Sequence, residues 1–596
     1  MTYTAPLADM RFALREIAGL ARIAALPGYE HATDDTIDAV LEEAAKLAGN
    51  GLAPLNQEGD RVGARLENGV VRTPPGFAGI YKEFVAGGWN SLPFETEFGG
   101  QGMPWLLATS VQEMWQSANM GFGLVLLLNQ GAIDAIQHHG SAEQKAAYLS
   151  KMISGDWTGT MNLTEPQAGS DLGQLKSRAV RQDGHHLITG QKIFITYGEH
   201  DMAENIVHLV LARTPDAPAG VRGISLFIVP KFQVNADGSL GARNDLRCVS
   251  LEHKLGIHAS PTCVMSFGDD GGAVGHLVGE EGRGLSYMFT MMNNARLAVG
   301  VQGLAIAERA YQQAAAFARN RVQSKDDGIA DPKPVSIVHH ADVRRMLMTM
   351  RSQIEAMRAL GYYTAAAIDG ALKDPDAAAG KRMQDRADVL IPIVKAWFTD
   401  LGNEIASMAV QVHGGMGFIE ETGAAQHLRD ARILPIYEGT NGIQARDLVG
   451  RKIARDGGEA MQALVAEMRG LIDELKSQPG DELAAIREGL EAAADALADA
   501  TKWVAQSVKA DLVTALAGSA PFLRLAGTAL GGWLLAKGAL VAQGKLATRD
   551  GDPAFLEAKL VTARFYAEVV LPPALAQLGP LKAAGRTVFA LKEDQF

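Results

Sequence analysis

Apolar residues recur with helical spacing in the N-terminal part of the chain. After Thr33-Asp34, a suitable helix N-cap, this spacing holds until Gly49-Asn50-Gly51 interrupts it, at positions Ile37, Val40, Leu41, Ala44 and Leu47. Similar patterns continue to about residue 155, broken by a glycine-rich stretch at 97–104 that cannot form a regular helix. We predict an N-terminal helical domain over 34–158, preceded by a short extension over 1–33.

The pattern becomes β-like between Trp157 and about Val278. Short β-rich pieces alternate there with Asp-Gly turns, at 186–188, 192–197, 206–212, 224–230 and 262–267. The second piece is typical of a buried strand, on which Phe194 and Thr196 share a face. We predict a middle β domain over 159–280, inserted between helical regions.

The helical period returns at Gly284 and continues to the end of the chain. Long stretches at 284–322, 340–371 and 384–412 predict the antiparallel helices of a bundle over 281–455. Beyond it, an apolar stripe follows the Gly480-Asp481 cap, at Leu483, Ile486, Leu490 and Leu497. It indicates an additional C-terminal helical domain over 456–596.

Composition and charge narrow the functional classes. The net charge of -12 disfavours nucleic acid as the main partner. Two cysteines without metal-type spacing favour a reducing compartment over a disulfide scaffold. The first 25 residues lack a signal-peptide pattern, and the longest apolar runs, at 121–128 and 525–536, are shorter than the ~20 residues of a membrane span. We expect a cytoplasmic protein without a transmembrane segment.

No motif indicates a metal site or nucleotide hydrolysis. The adjacent histidine pairs at 138–139, 185–186 and 339–340 do not place two imidazoles on one face of a helix or strand. The chain has no Walker loop, and no GxGxxG follows an opening strand. We therefore expect neither a bound metal nor a nicotinamide cofactor.

One carboxylate has surroundings suited to proton transfer. Glu438 follows the apolar Leu434, Ile436 and Tyr437 and precedes Gly439. Loss of water on one side raises the pKa of a carboxyl group toward the range of a general base, and a glycine lets a ligand approach the backbone closely. Taken alone, the segment also fits an ordinary loop glutamate beside a turn.

Two segments of the β domain suit a flat polar ligand. The stretch 161–171 brings proline, glycine and hydroxyl residues together after a strand, which exposes backbone N–H groups. Phe194 and Thr196 would add a stacking ring and a hydroxyl on one face. Plain turn and sheet packing explains each segment equally well when it is considered by itself.

In their order along the chain, these motifs resemble those of the acyl-CoA dehydrogenase family over roughly residues 35–450. They are Thr164-Glu165-Pro166, Gly169-Ser170-Asp171, Phe194-Ile195-Thr196, Glu252-His253-Lys254-Leu255-Gly256, Gly282-Arg283-Gly284-Leu285, Arg296, Gly414-Gly415-Met416-Gly417-Phe418 and Tyr437-Glu438-Gly439-Thr440. The resemblance implies a mainly α fold: an N-terminal helical domain, a β-barrel-like middle domain and a C-terminal four-helix bundle.

Two features resemble an extended bacterial subgroup of about 600 residues that includes 3-methylmercaptopropionyl-CoA dehydrogenases. One is the segment of roughly 140 residues beyond 455, which exceeds the usual family length. The other is the N-terminal signature Tyr3-x-Ala5-Pro6-Leu7-x-Asp9-Met10-x-Phe12.

The family resemblance implies FAD-dependent α,β-dehydrogenation of an acyl-CoA thioester to a trans-2-enoyl-CoA. Glu438 would abstract the α-proton while the flavin N5 takes the β-hydride. Some relatives carry the base on a helix, at the position of Ala295, which cannot take a proton. Phe194 stands where many relatives have tryptophan.

The resemblance also implies the binding residues. Contacts to FAD are expected from Met161, Leu163, Thr164, Gly169, Phe194, Ile195, Thr196, Thr440 and Asn441. Contacts to the FAD of a neighbouring subunit are expected from Arg321, Gln411, Gly414 and Gly415. Substrate contacts are expected from Ser170, Asn293, Arg296 and Gly439, although helix-surface or capping roles also fit the first three.

Partners follow from the same resemblance. We expect an electron-transfer flavoprotein as the electron acceptor and a homo-oligomer, with the dimer as the expected form. An acyl-CoA oxidase and a non-catalytic or nucleic-acid-binding flavoprotein of the same fold are the alternatives, and the acidic chain disfavours nucleic acid.

The acyl group stays open between a fatty acyl chain and 3-methylmercaptopropionyl. Its pocket would lie between the helices around 113–130 and 285–297. Five methionines fit either a thioether-lined pocket or ordinary core packing: Met114, Met120, Met288, Met291 and Met292.

Overall fold

The computed structural model describes residues 3–325, 333–583, 585 and 587–596, without the side chains of 290–294. Its first part is helical apart from a hairpin of β1 (Arg65–Glu67) and β2 (Val70–Arg72). The helices are α1 (Leu7–Phe12), α2 (Leu20–Ala24), α3 (Asp34–Lys46), α4 (Pro54–Val62), α5 (Phe77–Ala86), α6 (Trp105–Ala118), α7 (Met120–His139) and α8 (Ala142–Ser154).

The N-terminal extension is part of the packed core. It carries the two helices α1 and α2, which the sequence pattern did not predict, and it buries Tyr3, Met10, Leu14 and Ile17. Asp9 on α1 forms ion pairs with Arg358 and Lys559, which lie far away in sequence. The extension is therefore bound to the rest of the molecule by apolar packing and by charge.

The middle region forms one mixed sheet. Its strands are β3 (Trp157–Asn162), β4 (Arg178–Gln182), β5 (His185–Thr196), β6 (Asn205–Ala212), β7 (Ser225–Pro230), β10 (Leu246–Leu251), β11 (Thr262–Phe267) and β12 (Ala273–Val278). The order is β10-β11-β5-β12-β7-β6-β3, with β4 beside β5, and only β3 and β6 pair in parallel. Two pieces predicted as separate strands, 186–188 and 192–197, lie in the single strand β5 or at its end. A further hairpin joins β8 (Phe232–Val234) to β9 (Leu240–Arg243).

Three long helices form the bundle: α9 (Gly284–Asn320), α10 (Ala341–Lys373) and α11 (Ala377–His413). The short strands β13 (Val322–Lys325) and β14 (Pro334–Ser336) pair between α9 and α10. A Cβ on Gly300 would lie 3.0 Å from the Val394 carbonyl oxygen, and one on Gly303 would lie 2.5 Å from that of Phe398. The glycines permit this close approach, and since the facing positions rise together along both helices, α9 and α11 run side by side in the same direction.

The chain then continues through α12 (Ala424–Ala431), α13 (Asn441–Asp447) and α14 (Ala454–Asp456) into the C-terminal helices. These are α15 (Glu459–Lys476), α16 (Asp481–Ala510), α17 (Leu512–Ala517), α18 (Ser519–Thr548), α19 (Pro553–Phe565), α20 (Leu571–Leu575) and α21 (Leu578–Ala583). The predicted stripe from Leu483 to Leu497 is buried. The predicted fold class, helical domains around a β domain with extra C-terminal helices, is confirmed.

The helix α18 joins the C-terminal helices to the bundle. A Cβ on Gly527 or Gly531 would approach the Trp397 ring of α11 to within 2.5 or 2.8 Å, so the indole lies against bare backbone. Among the described residues, α18 is the one helix long and apolar enough to cross a membrane, but 83% of its apolar window is buried inside the molecule. Its apolar surface is used in core packing.

Candidate active site

Glu438 lies in the loop between α12 and α13, in a strained backbone conformation. Its φ is +55°, in the left-handed region that L-residues disfavour, and Gly439 follows with φ +83°. Side chains hold the carbonyl groups of both residues: the Gln444 amide donates to each at 3.2 Å, and the Lys395 ammonium donates to that of Gly439 at 2.8 Å. The loop is thus fixed through its carbonyl groups.

The reactive groups of Glu438 are left free by this arrangement. Within the part of the chain that the structure describes, neither its carboxylate nor its backbone N–H makes a hydrogen bond. Burial raises the pKa of the Glu438 carboxyl group, while the positive charges of Lys395 and Arg296 oppose that rise. A carboxylate with a raised pKa and no hydrogen-bond donor on it suits a general base.

Two buried cations lie on neighbouring helices near this loop. Arg296 of α9 is 3% exposed and donates to the Asp447 carboxylate at 3.1 Å. Lys395 of α11 is fully buried and donates to Gly439 O and to Asn441 Oδ1 at 2.9 Å. Both side chains come from the closely packed helices α9 and α11, and both charges act on Glu438.

A hydrogen-bonded chain connects the loop to the N-terminal helices. The Tyr437 hydroxyl donates to Gln302 Oε1, and the Gln302 amide donates to Gln116 Oε1 at 3.2 Å. The Gln116 amide donates in turn to the Gly123 carbonyl oxygen at 2.9 Å. The position of the base is therefore coupled to α9, α6 and α7 as well as to α11.

A small cavity lies between α6, α7, α9 and α10. It is lined by Trp105, Thr109, Gln112, Leu127, Gln130, Gly131, Ala295, Leu297, Ala298 and Ile368. The helices α6, α7 and α9 are those expected to line the acyl pocket. None of the methionines proposed for that pocket is in this lining: Met114, Met120 and Met288 are buried in the core, and the side chains of Met291 and Met292 lie outside the described residues. The structure therefore does not support a pocket lined by the thioethers of Met114, Met120 and Met288.

The Thr164 segment is held in place by a buried ion pair. The Glu165 carboxylate accepts from Lys192 at 2.8 Å, from the Lys176 and Ser177 N–H groups at 2.6 and 3.0 Å, and from the Ser177 hydroxyl at 2.7 Å. These donors lower the pKa of Glu165 to about 2 despite its burial. The loop after β3 is therefore attached to β5, and Thr164 lies at its half-buried edge.

Phe194 departs from the regular strand that its sequence predicts. On β11, Cys263 pairs with Ile195 and Met265 with Lys192, so β5 carries one extra residue and forms a bulge. Phe194 has φ +60° there, and it is 59% exposed. The prediction of a buried strand is wrong at this position, because the bulge turns the ring outward. Thr196 stays half-buried on the same strand.

This edge of the sheet fits the flavin that the sequence predicts. The hydroxyl groups of Thr164 and Thr196 have no hydrogen-bond partner in the chain as described, and the Phe194 ring is available for stacking. A Cβ on Gly169 would meet only Thr164 Cγ2, at 3.9 Å, so the backbone there is open. Ile195 is 2% exposed and packs into the β-domain core, so only its backbone can reach a cofactor.

Arg321, Gln411, Gly414 and Gly415 form a second exposed surface. The Phe317 and His413 rings lie 4.5 Å apart and join the C-terminal ends of α9 and α11 there. His413 is roughly 27 Å further along α11 than Lys395, at about 1.5 Å per residue. These residues therefore lie far from the Glu438 of their own chain, as contacts to a neighbouring subunit's cofactor require.

The remaining predicted site residues differ in burial and in whether their polar atoms are already hydrogen-bonded within the chain. The Thr440 hydroxyl caps α13 by accepting from Ile443 N. The Asn441 side chain donates to Ala396 O, Thr399 and Asp400, so its polar atoms are engaged with α11. Met161 is 6% exposed, Leu163 is half-buried and Ser170 is exposed. The side chain of Asn293 lies outside the described residues.

Sequence reasoning missed Lys395, Gln302 and Glu165 as supports of the site. The signal for Lys395 was a single lysine inside the otherwise apolar stretch 389–398 of a helix, and such a residue is rarely buried without a specific partner. Glu165 belongs to a quoted motif, but only its neighbour Thr164 was given a role. The partners of these residues come from distant parts of the chain and cannot be read from spacing.

Comparison with known proteins gives matches along most of the chain. Four family models match consecutive parts: the acyl-CoA dehydrogenase N-terminal domain at 34–156, its middle domain at 160–269, its C-terminal domain at 282–454, and an acetyl-CoA dehydrogenase C-terminal-like domain at 461–592. The four models together include the exposed edge near Phe194, the Glu438 loop and the C-terminal helices.

Individual relatives match at full length. The chain is 51% identical to the 3-methylmercaptopropionyl-CoA dehydrogenase of Ruegeria pomeroyi, over 96% of each chain. It is 36% identical to a butyryl-CoA dehydrogenase of Syntrophomonas wolfei, over 100% of this chain and 99% of the relative. The structure of an acyl-CoA dehydrogenase complexed with FAD from Bacillus anthracis is 20% identical and covers 98% of this chain and 92% of its own, with a TM-score of 0.74.

Proposed function

Because the chain belongs to the acyl-CoA dehydrogenase family, we propose that it oxidises an acyl-CoA thioester to the trans-2-enoyl-CoA, with FAD as its cofactor. The observation that supports this most directly is the environment of the Glu438 carboxylate. Its carboxylate is half-buried, its pKa is raised by burial, and it has no hydrogen-bond donor within the described residues. These are the properties of a base that removes a weakly acidic proton.

The residues of this chain have distinct roles in the proposed reaction. Glu438 removes the α-proton, and its own N–H donates a hydrogen bond to the thioester oxygen as negative charge develops there. One such donor is typically worth about 3 kcal/mol of transition-state stabilisation. Gln444 and Lys395 keep the loop carbonyl groups turned away from the substrate. When bound, FAD accepts the β-hydrogen as a hydride.

The residues that hold FAD are proposed on the same basis. Thr164 and Thr196 direct free hydroxyl groups to the flavin edge, and Phe194 stacks against the ring. Arg321, Gln411, Gly414 and Gly415 bind the cofactor of a partner subunit, which makes the protein a homodimer or a larger oligomer built from dimers. The electron acceptor is an electron-transfer flavoprotein, and the domain divisions are those expected from the sequence.

For the acyl group we propose 3-methylmercaptopropionyl-CoA. The support is the 51% identity to a full-length relative of that name. The cavity between α6, α7 and α9, the helices expected to line the acyl pocket, has a partly polar wall formed by Thr109, Gln112 and Gln130. Butyryl-CoA, which lacks the sulfur atom, is the matched comparison substrate.

Anaerobic titration of the purified flavoprotein tests the function. Flavin absorbance is followed while 3-methylmercaptopropionyl-CoA, butyryl-CoA or palmitoyl-CoA is added. We expect bleaching with the first at the lowest concentration and weak bleaching with palmitoyl-CoA. A flavoprotein that no thioester bleaches, or a protein without flavin, would overturn the proposal. Fast reoxidation by dissolved oxygen after bleaching would identify an oxidase in place of a dehydrogenase.

A further inference from the structure

Lys395 differs from the other buried lysines that the structure describes. Lys192, Lys231, Lys452 and Lys559 each have a carboxylate within 3.1 Å, which compensates the cost of burying the charge. Lys395 is fully buried, but no carboxylate of the described chain lies within 4.0 Å of its ammonium group. Its charge therefore has no direct ion pair to explain it.

The hydrogen bonds of Lys395 go instead to the Glu438 loop. Its ammonium donates to Gly439 O at 2.8 Å and to Asn441 Oδ1 at 2.9 Å. Both acceptors come within three residues of the base. Asn441 is oriented for this contact because its amide donates to the Ala396 carbonyl oxygen and to Asp400 at 3.0 and 2.7 Å.

Other charged groups complete the surroundings of the base. From α9 comes Arg296, which is paired with Asp447 of α13. Asp447 is also paired with Arg451, so its single carboxylate is shared by two guanidinium groups. From α11 come Lys395 and, five residues later, Asp400, which accepts from Asn441. Of the two cations whose charges act on Glu438, Lys395 is the one without a direct ion pair among the described residues.

We propose that Lys395 is a positioning residue for the base: its ammonium holds the Gly439 carbonyl group, stabilises the left-handed turn at Glu438, and favours the carboxylate form of Glu438. This inference rests on the proposed dehydrogenase function. A left-handed L-residue costs of order 1 kcal/mol or more, so the turn needs such a support. The uncompensated charge adds an electrostatic effect that a purely structural lysine would not have.

The titration of the two groups follows from this arrangement. The Lys395 charge lowers the pKa of Glu438, although burial keeps it above the ordinary value. Burial lowers the pKa of Lys395 itself to about 7, so the ammonium is charged below about pH 7 and loses its proton as the pH rises. Removing the charge therefore raises the pKa of Glu438. A smaller fraction of Glu438 is then in the carboxylate form at acidic pH.

The test measures the rate constant of flavin reduction as a function of pH by stopped flow. It uses holoenzyme with the thioester that bleaches the wild type. Lys395→Met removes the charge at similar length, Lys395→Gln keeps an N–H donor without charge, and Lys395→Arg keeps the charge. Lys537→Met is the matched control, because Lys537 is partly buried on α18 and donates to the distant Ile17 carbonyl oxygen at 2.9 Å.

We expect both neutral variants to shift the acidic limb of the profile upward by about one pH unit, which means a tenfold slower reduction on that limb. Lys395→Arg should restore the limb toward the wild-type position, and Lys537→Met should leave it unchanged. If Lys395→Met does not fold, Lys395→Gln decides the matter. Neutral variants with wild-type flavin content and an unshifted limb would overturn the proposal. A wild type that no thioester reduces would instead overturn the proposed function.

Discussion

Burial and charge act in opposite directions on the Glu438 carboxyl group. Burial raises its pKa, while Lys395 and Arg296 favour the carboxylate. The backbone at the same residue is strained, and hydrogen bonds from Lys395 and Gln444 to the loop carbonyl groups offset that strain. The conformation and charge state of this residue therefore depend on a few contacts that come from elsewhere in the chain.

Replacing the base tests its role directly. Glu438→Gln keeps the size of the side chain but cannot take a proton, so we expect flavin reduction to slow by at least about 10²–10⁴-fold. Flavin content and the spectral shift on thioester binding should be retained. The measurement is single-turnover reduction by stopped flow.

Glu474→Gln, on the exposed face of α15, is the control for this experiment. It should reduce at the wild-type rate. Near-normal reduction by Glu438→Gln would remove Glu438 from the mechanism.

At the scale of elements, the close contact between α9 and α11 sets the spacing of the two helices that carry Arg296 and Lys395. Gly303 faces the backbone of α11, where a Cβ would lie 2.5 Å from Phe398 O and 2.8 Å from Thr399 N. Backbone atoms cannot move aside as the end of a flexible side chain can. The two helices must therefore separate if any side chain is added there.

A substitution at this contact should be destabilising. We expect Gly303→Ala to lower the free energy of unfolding by about 1–3 kcal/mol through overpacking, and to slow flavin reduction because the helices that carry Arg296 and Lys395 shift. Gly470→Ala on α15 is the matched control, since its added Cβ meets no atom within 4 Å. That control should stabilise the protein by up to about 1 kcal/mol. Thermal unfolding followed by circular dichroism measures the stability of both variants. Equal melting temperatures for Gly303→Ala and Gly470→Ala would contradict this packing argument.

At the scale of the whole molecule, a buried cluster of charges connects segments far apart in sequence. Arg358 of α10 contacts Glu113 of α6 at 2.6 Å, Glu308 of α9 at 2.7 Å, and Asp9 of α1. Lys559 of α19 extends the cluster through the same Asp9. The N-terminal extension, the bundle and the C-terminal helices are thereby held together.

Breaking this cluster should affect the whole fold. Arg358→Met leaves Glu113 and Glu308 buried without their cation, and such a loss typically costs about 3–5 kcal/mol. We expect the midpoint of urea unfolding to fall accordingly. Arg382→Met is the control, because that arginine is 68% exposed and lies 4.0 Å from Asp376, so its removal should change stability by less than about 0.5 kcal/mol. Equal midpoints for the two variants would show that the cluster contributes nothing to the fold.

The separation between Glu438 and Arg321 leads to a prediction about assembly. We expect Arg321→Ala to lose flavin on dilution, because we propose that Arg321 binds the cofactor of the partner subunit. Two inactive chains, one with Glu438→Gln and one with Arg321→Ala, are co-expressed with different tags and purified as the mixed dimer. One of its two sites then has both residues intact, so about half of the wild-type activity per dimer should return. A mixed dimer as inactive as its parents would show that Arg321 serves its own chain.

The sequence by itself determined the order of helical and β-rich regions and the family, and it predicted Glu438 as the base and the motifs that contact the flavin. These follow from local periodicity and from short motifs, which depend on neighbouring residues. Glu438 could be singled out because an apolar run, a carboxylate and a glycine are adjacent. The helices of the N-terminal extension could not be predicted in this way, because their burial depends on partners hundreds of residues away.

The tertiary structure decided how those residues are held. Phe194 is turned outward by a bulge that exists only when β5 pairs with β11. Lys395 reaches the Glu438 loop because the loop folds back onto α11. Such contacts join residues with no fixed spacing in sequence, and they arise from packing and burial, so only the folded chain contains them.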